Sequence, residues 1–545
     1  MSSMQVLHEP YQSAMEVFTP EQRTKHHMRG LLPATPLSPE AFEKRILADF
    51  DAETDPLKKF LILSDLADRS LHLYYYVITR NFGKLNPFIY TPTVGLYCQK
   101  YHLCHRPKRV LYYTLRDEGH IDEITSNWPQ KEVDIVVMTD GGRILGLGDQ
   151  GANGIGIPIG KLALYCAAAG SDPEKVLPVQ IDVGTSNMKL RDDPLYLGLN
   201  QDRLRGDAYY AFVGTVVESI HKRWPKALIQ FEDFGMVNAL DLLDIWRNKI
   251  LSFNDDIQGT GAVTLAALIN ACRARGKTVK DLVNDRILFA GAGSAAVGIA
   301  DAIVAGMVVE GVPKEEAVKS FFFVNTKGLV GKGRTDLNPS QIRYQRQDFP
   351  GGTDLIATAK AIKPTIVIGV SGTPNQFTEE LVSIMKENTP CPIIFPLSNP
   401  TSQAECTAEQ VFAWTGGKAV FAAGSPFAPV TKDGVTLHTN QCNNMYIFPA
   451  LGLAAAKVHA TRVTDRMLYR SAAALAEQVS EEEVKKGILF PPLSQIRDIS
   501  HKIATAVVHE AMDEGVVPEP PCKKEEVHEW LRTQMYDPAK KLAEL

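Results

Sequence analysis

The stretch RILFAGAGSAAVGIADAI, residues 286–303, constrains the fold of this chain more than any other. A short apolar run leads into Gly291-Ala292-Gly293, and a run with helical apolar spacing containing Gly298 follows. Gly291 permits a tight turn, Gly293 lets the backbone approach a pyrophosphate, and Gly298 is expected to close the helix against the strand. The unpaired N–H groups and positive dipole end at the start of such a helix favour phosphate. A glycine pair also occurs in ordinary strand–helix turns. Here it heads a series of five strand-like runs, RILFAGAG, FFFVNTKG, TIVIGVSG, PIIFPLSNP and AVFAAGS. That context predicts a Rossmann-type dinucleotide-binding domain, with Gly291, Ala292, Gly293, Ser294, Ala295 and Ala296 around the phosphates.

The second of these runs ends in Asn325, Thr326 and Lys327, with Arg334 and Arg343 farther on. A site selective for NAD usually places an acid there, bonding the adenine ribose hydroxyls. Asn325 does not repel a ribose 2′-phosphate and Lys327 attracts one, so NADP is expected, with NAD as the alternative. Lys327 also fits a solvated loop lysine.

Upstream, VDIVVMTDGGRILGLGDQG, LPVQIDVG and ALIQFED read as buried strands alternating with helices, a parallel α/β layout. Before them the pattern is helical. SPEAFEKRILADF offers Ser38 as an N-cap with Pro39 at the first helical position. After Asn444 the chain turns helical again, and SEEEVKKG reads as a solvated helix face. At 545 residues several cores are required. The expected class is α/β: a helical N-terminal domain over 1–108, an α/β substrate and metal domain over 109–254 plus 445–515, the Rossmann-type domain over 255–444, and a tail over 516–545.

A net charge of −5 supplies no basic field for nucleic acid or an anionic membrane. The eight cysteines are scattered, without a C-x-x-C pair, as in reduced intracellular proteins. Lys161, Arg273 and Lys457 interrupt the best apolar runs, and the first thirty residues contain no apolar core of a secretory signal. A cytoplasmic location is expected, with a mitochondrial one as the alternative.

Two acidic pairs stand after short apolar runs: Glu232 and Asp233 in QFEDF, Asp255 and Asp256 in FNDDIQGT. Crowded carboxylates repel unless a positive charge lies among them. Hard oxygen ligands at strand ends suit Mg2+ or Mn2+, whereas two unrelated exposed acidic turns would need no ion.

Together YTPTVG, GRILGLGDQGANGIGIPIGKL, QFEDF, FNDDIQGT, GAGSAAVGIA, LSNPTSQAE, FAAGSPF and NQCNNMYIFP closely resemble the malic enzyme family, in order, from about residue 28 to residue 536. The resemblance implies oxidative decarboxylation of L-malate to pyruvate and CO2, with a divalent metal and NAD(P)+. It makes Glu232, Asp233 and Asp256 the metal ligands and Lys161 the base, with Asp255 placed beside it. Tyr90 takes the position of the catalytic tyrosine and Arg143 that of the carboxylate-binding arginine. Asn399 and Asn444 match positions that contact substrate and the nicotinamide end, and Thr260 falls among the cofactor-binding positions. A planar guanidinium clamps a carboxylate bidentately, as a lysine cannot. Assigning the base to Lys161 rather than Tyr90 leans on the resemblance. A malolactic-type decarboxylation to lactate and a non-catalytic nucleotide-binding sensor are the alternatives. The tail after LRTQMYDP is shorter than in the longer animal members, so homodimer and homotetramer both stay open. Arg45 and Arg69 fall at plausible positions for an activator, in surroundings that differ from the family's.

Overall fold

Local signals fix where the helices begin. The Ser38 hydroxyl accepts from the Ala41 amide at the start of Pro39–Ala52, and Asp55 caps Pro56–Arg69 through the amides of Leu57 and Lys58. Leu71–Arg80, Phe82–Ile89 and Thr93–Lys100 complete the helical N-terminal region. The computed structural model describes residues 2–104 and 109–545. It divides into two compact units, Met1–Gly235 with His528–Leu545, and Met236–Val527. Among the described residues no helix is long and apolar enough to cross a membrane.

The first unit holds four parallel strands in the order Leu111–Thr114, Val176–Asp182, Ile135–Thr139, Leu228–Phe231. Leu111–Thr114 has no counterpart among the strands expected from the sequence, because LYYT alternates buried and half-buried residues and lacks a long apolar run. Ile135–Thr139 and Leu228–Phe231 pair with Met138 opposite Phe231. Parallel pairing puts their carboxyl ends side by side, so the residues that follow, Asp140 to Arg143 and Glu232 to Asp233, emerge at one edge. Helix Gly156–Ala169 is buried along almost its whole length. Its small residues let neighbours approach closely: a Cβ on Gly160 would stand 3.1 Å from both the Ile89 carbonyl and the Tyr90 ring.

The second unit carries a seven-stranded sheet in the order Asn440–Gln441, Val420–Ala423, Ile393–Pro396, Ile366–Gly369, Ile287–Ala290, Phe321–Asn325, Gly328–Leu329. All neighbours are parallel except the last pair. From Ile287–Ala290 the chain first goes to Phe321–Asn325 on one side, then crosses to Ile366–Gly369 on the other. This reversal opens a crevice at the strand carboxyl ends, where doubly wound sheets bind ligands. The helical return expected over 445–515 clusters with this second unit. Its helices Phe448–Lys457, Asp465–Ala476 and Ile496–Asp513 pack on one another, and Asp465–Ala476 packs on Thr260–Ala274. The fold is thus α/β, with a helical N-terminal region, two parallel sheets and a helical return.

Candidate active site

In the first unit Glu232 and Asp233 follow a strand end, Lys161 reaches Glu232 from one helix, Tyr90 stands beside Lys161 at the end of another, and the Arg143 backbone lies against Asp233. Lys161 and Glu232 are both about 1% exposed. Lys161 Nζ stands 2.9 Å from Glu232 Oε1 and 5.3 Å from the centre of the Tyr90 ring. Glu232 Oε2 accepts from Gln230 Nε2 at 2.7 Å, and Gln230 Oε1 accepts from the Tyr165 hydroxyl at 2.5 Å. Gln230 and Tyr165 were not anticipated, since a buried strand glutamine and a helix tyrosine carry no sequence signal of their own. The close approach at Gly160 is what lets the end of helix Phe82–Ile89, and with it Tyr90, reach the turn of helix that bears Lys161.

Asp233 takes a left-handed backbone, φ 51°, which costs a non-glycine residue about 1–3 kcal/mol unless its surroundings hold it. They do: its carbonyl accepts from Thr139 Oγ1 and from the Arg143 amide, both at 3.4 Å, and its Oδ1 accepts from the Leu145 amide at 3.1 Å. The same bonds fix the backbone from which the exposed Arg143 side chain extends. Carboxylate oxygens of Glu232 and Asp233 lie within 4.8 Å of each other. Two adjacent hard donors on rigid strand ends fit a small divalent cation.

In the second unit, the strand Ser252–Asn254 runs into the turn Asp255–Gly259, which starts helix Thr260–Ala274. Asp255 is buried and Asp256 half-buried. Asn444 Nδ2 donates to the Asp255 carbonyl at 3.2 Å, to Asp255 Oδ2 at 3.0 Å and to Thr260 Oγ1 at 3.0 Å. These bonds hold the Asn444 side chain in one orientation. Asn399 Oδ1 accepts from Ser425 Oγ at 2.6 Å, and the absence of a side chain on Gly424 gives the Asn399 amide nitrogen room.

The glycine loop leaves open space at a helix start. Gly291 has φ 118°, and a Cβ there would stand 2.9 Å from the Val370 carbonyl. A Cβ on Gly293 would meet nothing within 4 Å, so its backbone faces open space at the start of helix Ser294–Val309. Gly298 departs from expectation. It does not serve helix–strand contact; its missing side chain admits the turn before Thr260, with Ile257 O only 2.5 Å from where a Cβ would be. The reason is that helix Thr260–Ala274 crosses Ser294–Val309 there, and a Cβ on Gly261 would likewise stand 2.7 Å from Gly298 O.

Asn325 ends its strand, with Oδ1 accepting from the Lys327 amide at 2.9 Å. Lys327 is not a lone cation, for its Nζ pairs with Asp336 at 2.8 Å. Arg334 chelates the same carboxylate at 2.6 and 3.0 Å and reaches Asn325 Oδ1 at 3.4 Å. The two cations hold Asp336 well below the usual carboxylate range. The cluster of two cations and one acid keeps a net charge of +1 beside Asn325. Asp336 was missed because it lies in the loop beyond the strand.

Residues 67–247 match the family model described as malic enzyme, N-terminal domain, and residues 257–512 match malic enzyme, NAD binding domain. The hydrogenosomal malic enzyme of Neocallimastix frontalis is 44% identical over 537 residues, covering 98% of this chain and 91% of that protein. The NADP-dependent malic enzyme of Homo sapiens is 44% identical over 524 residues, covering 95% and 90%. Among solved structures, the malic enzyme of Entamoeba histolytica shares the fold with a TM-score of 0.60 at 22% identity, covering 95% of this chain and 92% of that one. Two domain matches in order and close relatives over nearly the whole length place the chain in one group: it belongs to the malic enzyme family.

Proposed function

We propose that this protein catalyses the divalent-metal-dependent oxidative decarboxylation of L-malate to pyruvate and CO2, with reduction of NADP+. The observation that carries the reading is the buried Lys161–Glu232 pair with the Tyr90 ring beside it. A lysine is seldom fully buried in a protein interior unless it is paired, because its ammonium must be desolvated.

Glu232, Asp233 and Asp256 supply oxygen ligands of the kind that Mg2+ or Mn2+ takes. When bound, the cation supplies Lewis acidity to the substrate and the nicotinamide accepts the hydride from C2. The chain's own groups do the rest. The Arg143 guanidinium clamps a malate carboxylate. Lys161, as the neutral amine, takes the proton of the C2 hydroxyl as the hydride leaves. Loss of CO2 leaves the enolate of pyruvate, which Tyr90 protonates at C3. Asp255 holds Asn444 in place for substrate and the nicotinamide end, and Asn399 contributes from its loop. Gly291 to Ala296 receive the pyrophosphate. Asn325, with the net positive charge of the cluster around Asp336, favours NADP+ over NAD+. The protein works as a homodimer or homotetramer.

Lys161→Ala tests the role of the lysine. Turnover is expected to fall by about 100-fold or more while NADP+ still binds. Turnover at the wild-type rate would remove Lys161 from the chemistry.

A further inference from the structure

The loop from Asp140 to Asp149 bears Arg143, and besides its bonds to Asp233 its own sequence gives it little rigidity. Gly141, Gly142, Gly146 and Gly148 give it freedom to lose on folding, and Leu145 sits at φ 48°, a left-handed backbone that a leucine rarely adopts. The two ends nevertheless meet: Gln150 donates its amide to the Gly141 carbonyl at 2.9 Å, and a Cβ on Gly141 would stand 1.9 Å from Gly151 O.

One buried side chain ties both ends. Arg203 Nε and Nη2 grip the Asp149 carboxylate at 3.0 and 2.8 Å, while Nη1 donates to the Asp140 carbonyl at 3.0 Å. The same Nη1 lies 3.3 Å from Asp140 Oδ2. The acids are in turn held from outside the loop. Tyr209 hydroxyl donates to Asp140 Oδ2 at 2.6 Å, and Thr185 Oγ1 and the Ser186 amide donate to Asp149, both at 2.8 Å. Arg203 is 9% exposed and comes from an irregular stretch, residues 199–204, that lies beside the end of strand Val176–Asp182 through Leu204 N to Val183 O at 2.9 Å.

We infer that Arg203 is a positioning residue for substrate: it closes the Asp140–Asp149 loop so that Arg143 is presented to a malate carboxylate in one place. The inference rests on the reading of Arg143 as the carboxylate-binding group. Arg203 touches no substrate itself. Only a guanidinium does this task, because three donor nitrogens in one plane reach two acceptor groups at opposite ends of the loop. A lysine at 203 keeps the charge and makes one of those contacts at a time.

The test is steady-state kinetics on Arg203→Lys, Asp149→Asn and Arg143→Ala, each with malate and NADP+ varied separately. In Arg203→Lys the KM for malate is expected to rise about tenfold or more, with kcat within a few-fold and the KM for NADP+ unchanged. Asp149→Asn, which leaves no buried acid unpaired, is expected to shift the malate KM in the same direction. Because KM does not depend on the fraction of active protein, partial misfolding does not mimic this result. Adding Arg203→Lys to Arg143→Ala is expected to cost little more, since both act through one group. If Arg143→Ala leaves the malate KM at its wild-type value, the reading of Arg143 fails. If Arg143→Ala raises it while Arg203→Lys and Asp149→Asn do not, this inference is overturned. A fall in kcat alone in Arg203→Lys, with malate KM unchanged, overturns it equally.

Discussion

Lys161 Nζ and Glu232 Oε1 stand 2.9 Å apart with both side chains 2% exposed, so the group read as the base is ion-paired to a group read as a metal ligand. Within the first unit Glu232 is a carboxylate partner of the lysine. On the proposed reading a bound cation and the lysine would compete for one carboxylate. That competition would link metal occupancy to the state of the base.

Glu232→Gln takes a carboxylate partner from a buried lysine, and breaking such a pair costs about 3–5 kcal/mol. Lys161→Met takes the lysine from that carboxylate, which keeps its bond from Gln230 Nε2. Urea unfolding of the double variant is expected to show less loss than the sum of the two singles. Strict additivity would mean the pair is not coupled.

Gly298→Ala is expected to destabilise the second unit by about 1–3 kcal/mol, because the new Cβ meets backbone rather than a flexible side chain. Ile257 O would stand 2.5 Å away. Thermal unfolding checks this, and an unchanged Tm would show that the two helices can separate at no cost.

The glycine contrast shows what a sequence pattern holds. Gly291 and Gly293 announce themselves, since strand, turn and helix are contiguous and head a series of five strand-like runs. Gly298 was placed against the wrong neighbour, because its partner Ile257 is forty-one positions upstream and no local pattern reports a helix crossing. The same holds for the charged groups. Glu232, Asp233, Asp255 and Asp256 are legible as pairs of acids after apolar runs. Arg203 and Asp336 are single charges in loops, and only the folded chain shows that one ties Asp140 to Asp149 and the other joins Lys327 to Arg334. Gln230 is invisible for a different reason: a buried glutamine in a strand is explained only by the carboxylate it holds.

Asn325→Asp places an acid where a ribose 2′-phosphate is expected. The KM for NADP+ should rise about tenfold or more with that for NAD+ little changed, a shift read from the ratio of kcat/KM values. An unaltered ratio would move the discriminating contact away from this strand end.

His72 gives the first unit a pH dependence. Burial pushes its imidazole below the ordinary value of 6.5. Its ring nitrogens bond the Tyr536 hydroxyl at 2.7 Å and the Tyr11 carbonyl at 3.0 Å. The folded state thus favours the neutral ring, and its stabilisation is complete above the ordinary value. As pH falls below that value toward the lowered folded one, the unfolded chain takes up the proton first and stability is lost. Thermal unfolding should show Tm falling between pH 7 and 5 in the wild type, and falling less in His72→Gln. Equal slopes would assign the acid sensitivity elsewhere.

The most direct measurement of the central claim is nicotinamide reduction with L-malate and Mn2+, with NADP+ and NAD+ compared and the carbon product identified. Formation of pyruvate, abolished by chelator and faster with NADP+, is the predicted result. Lactate, oxaloacetate that accumulates without decarboxylation, or full activity in the presence of chelator would contradict it.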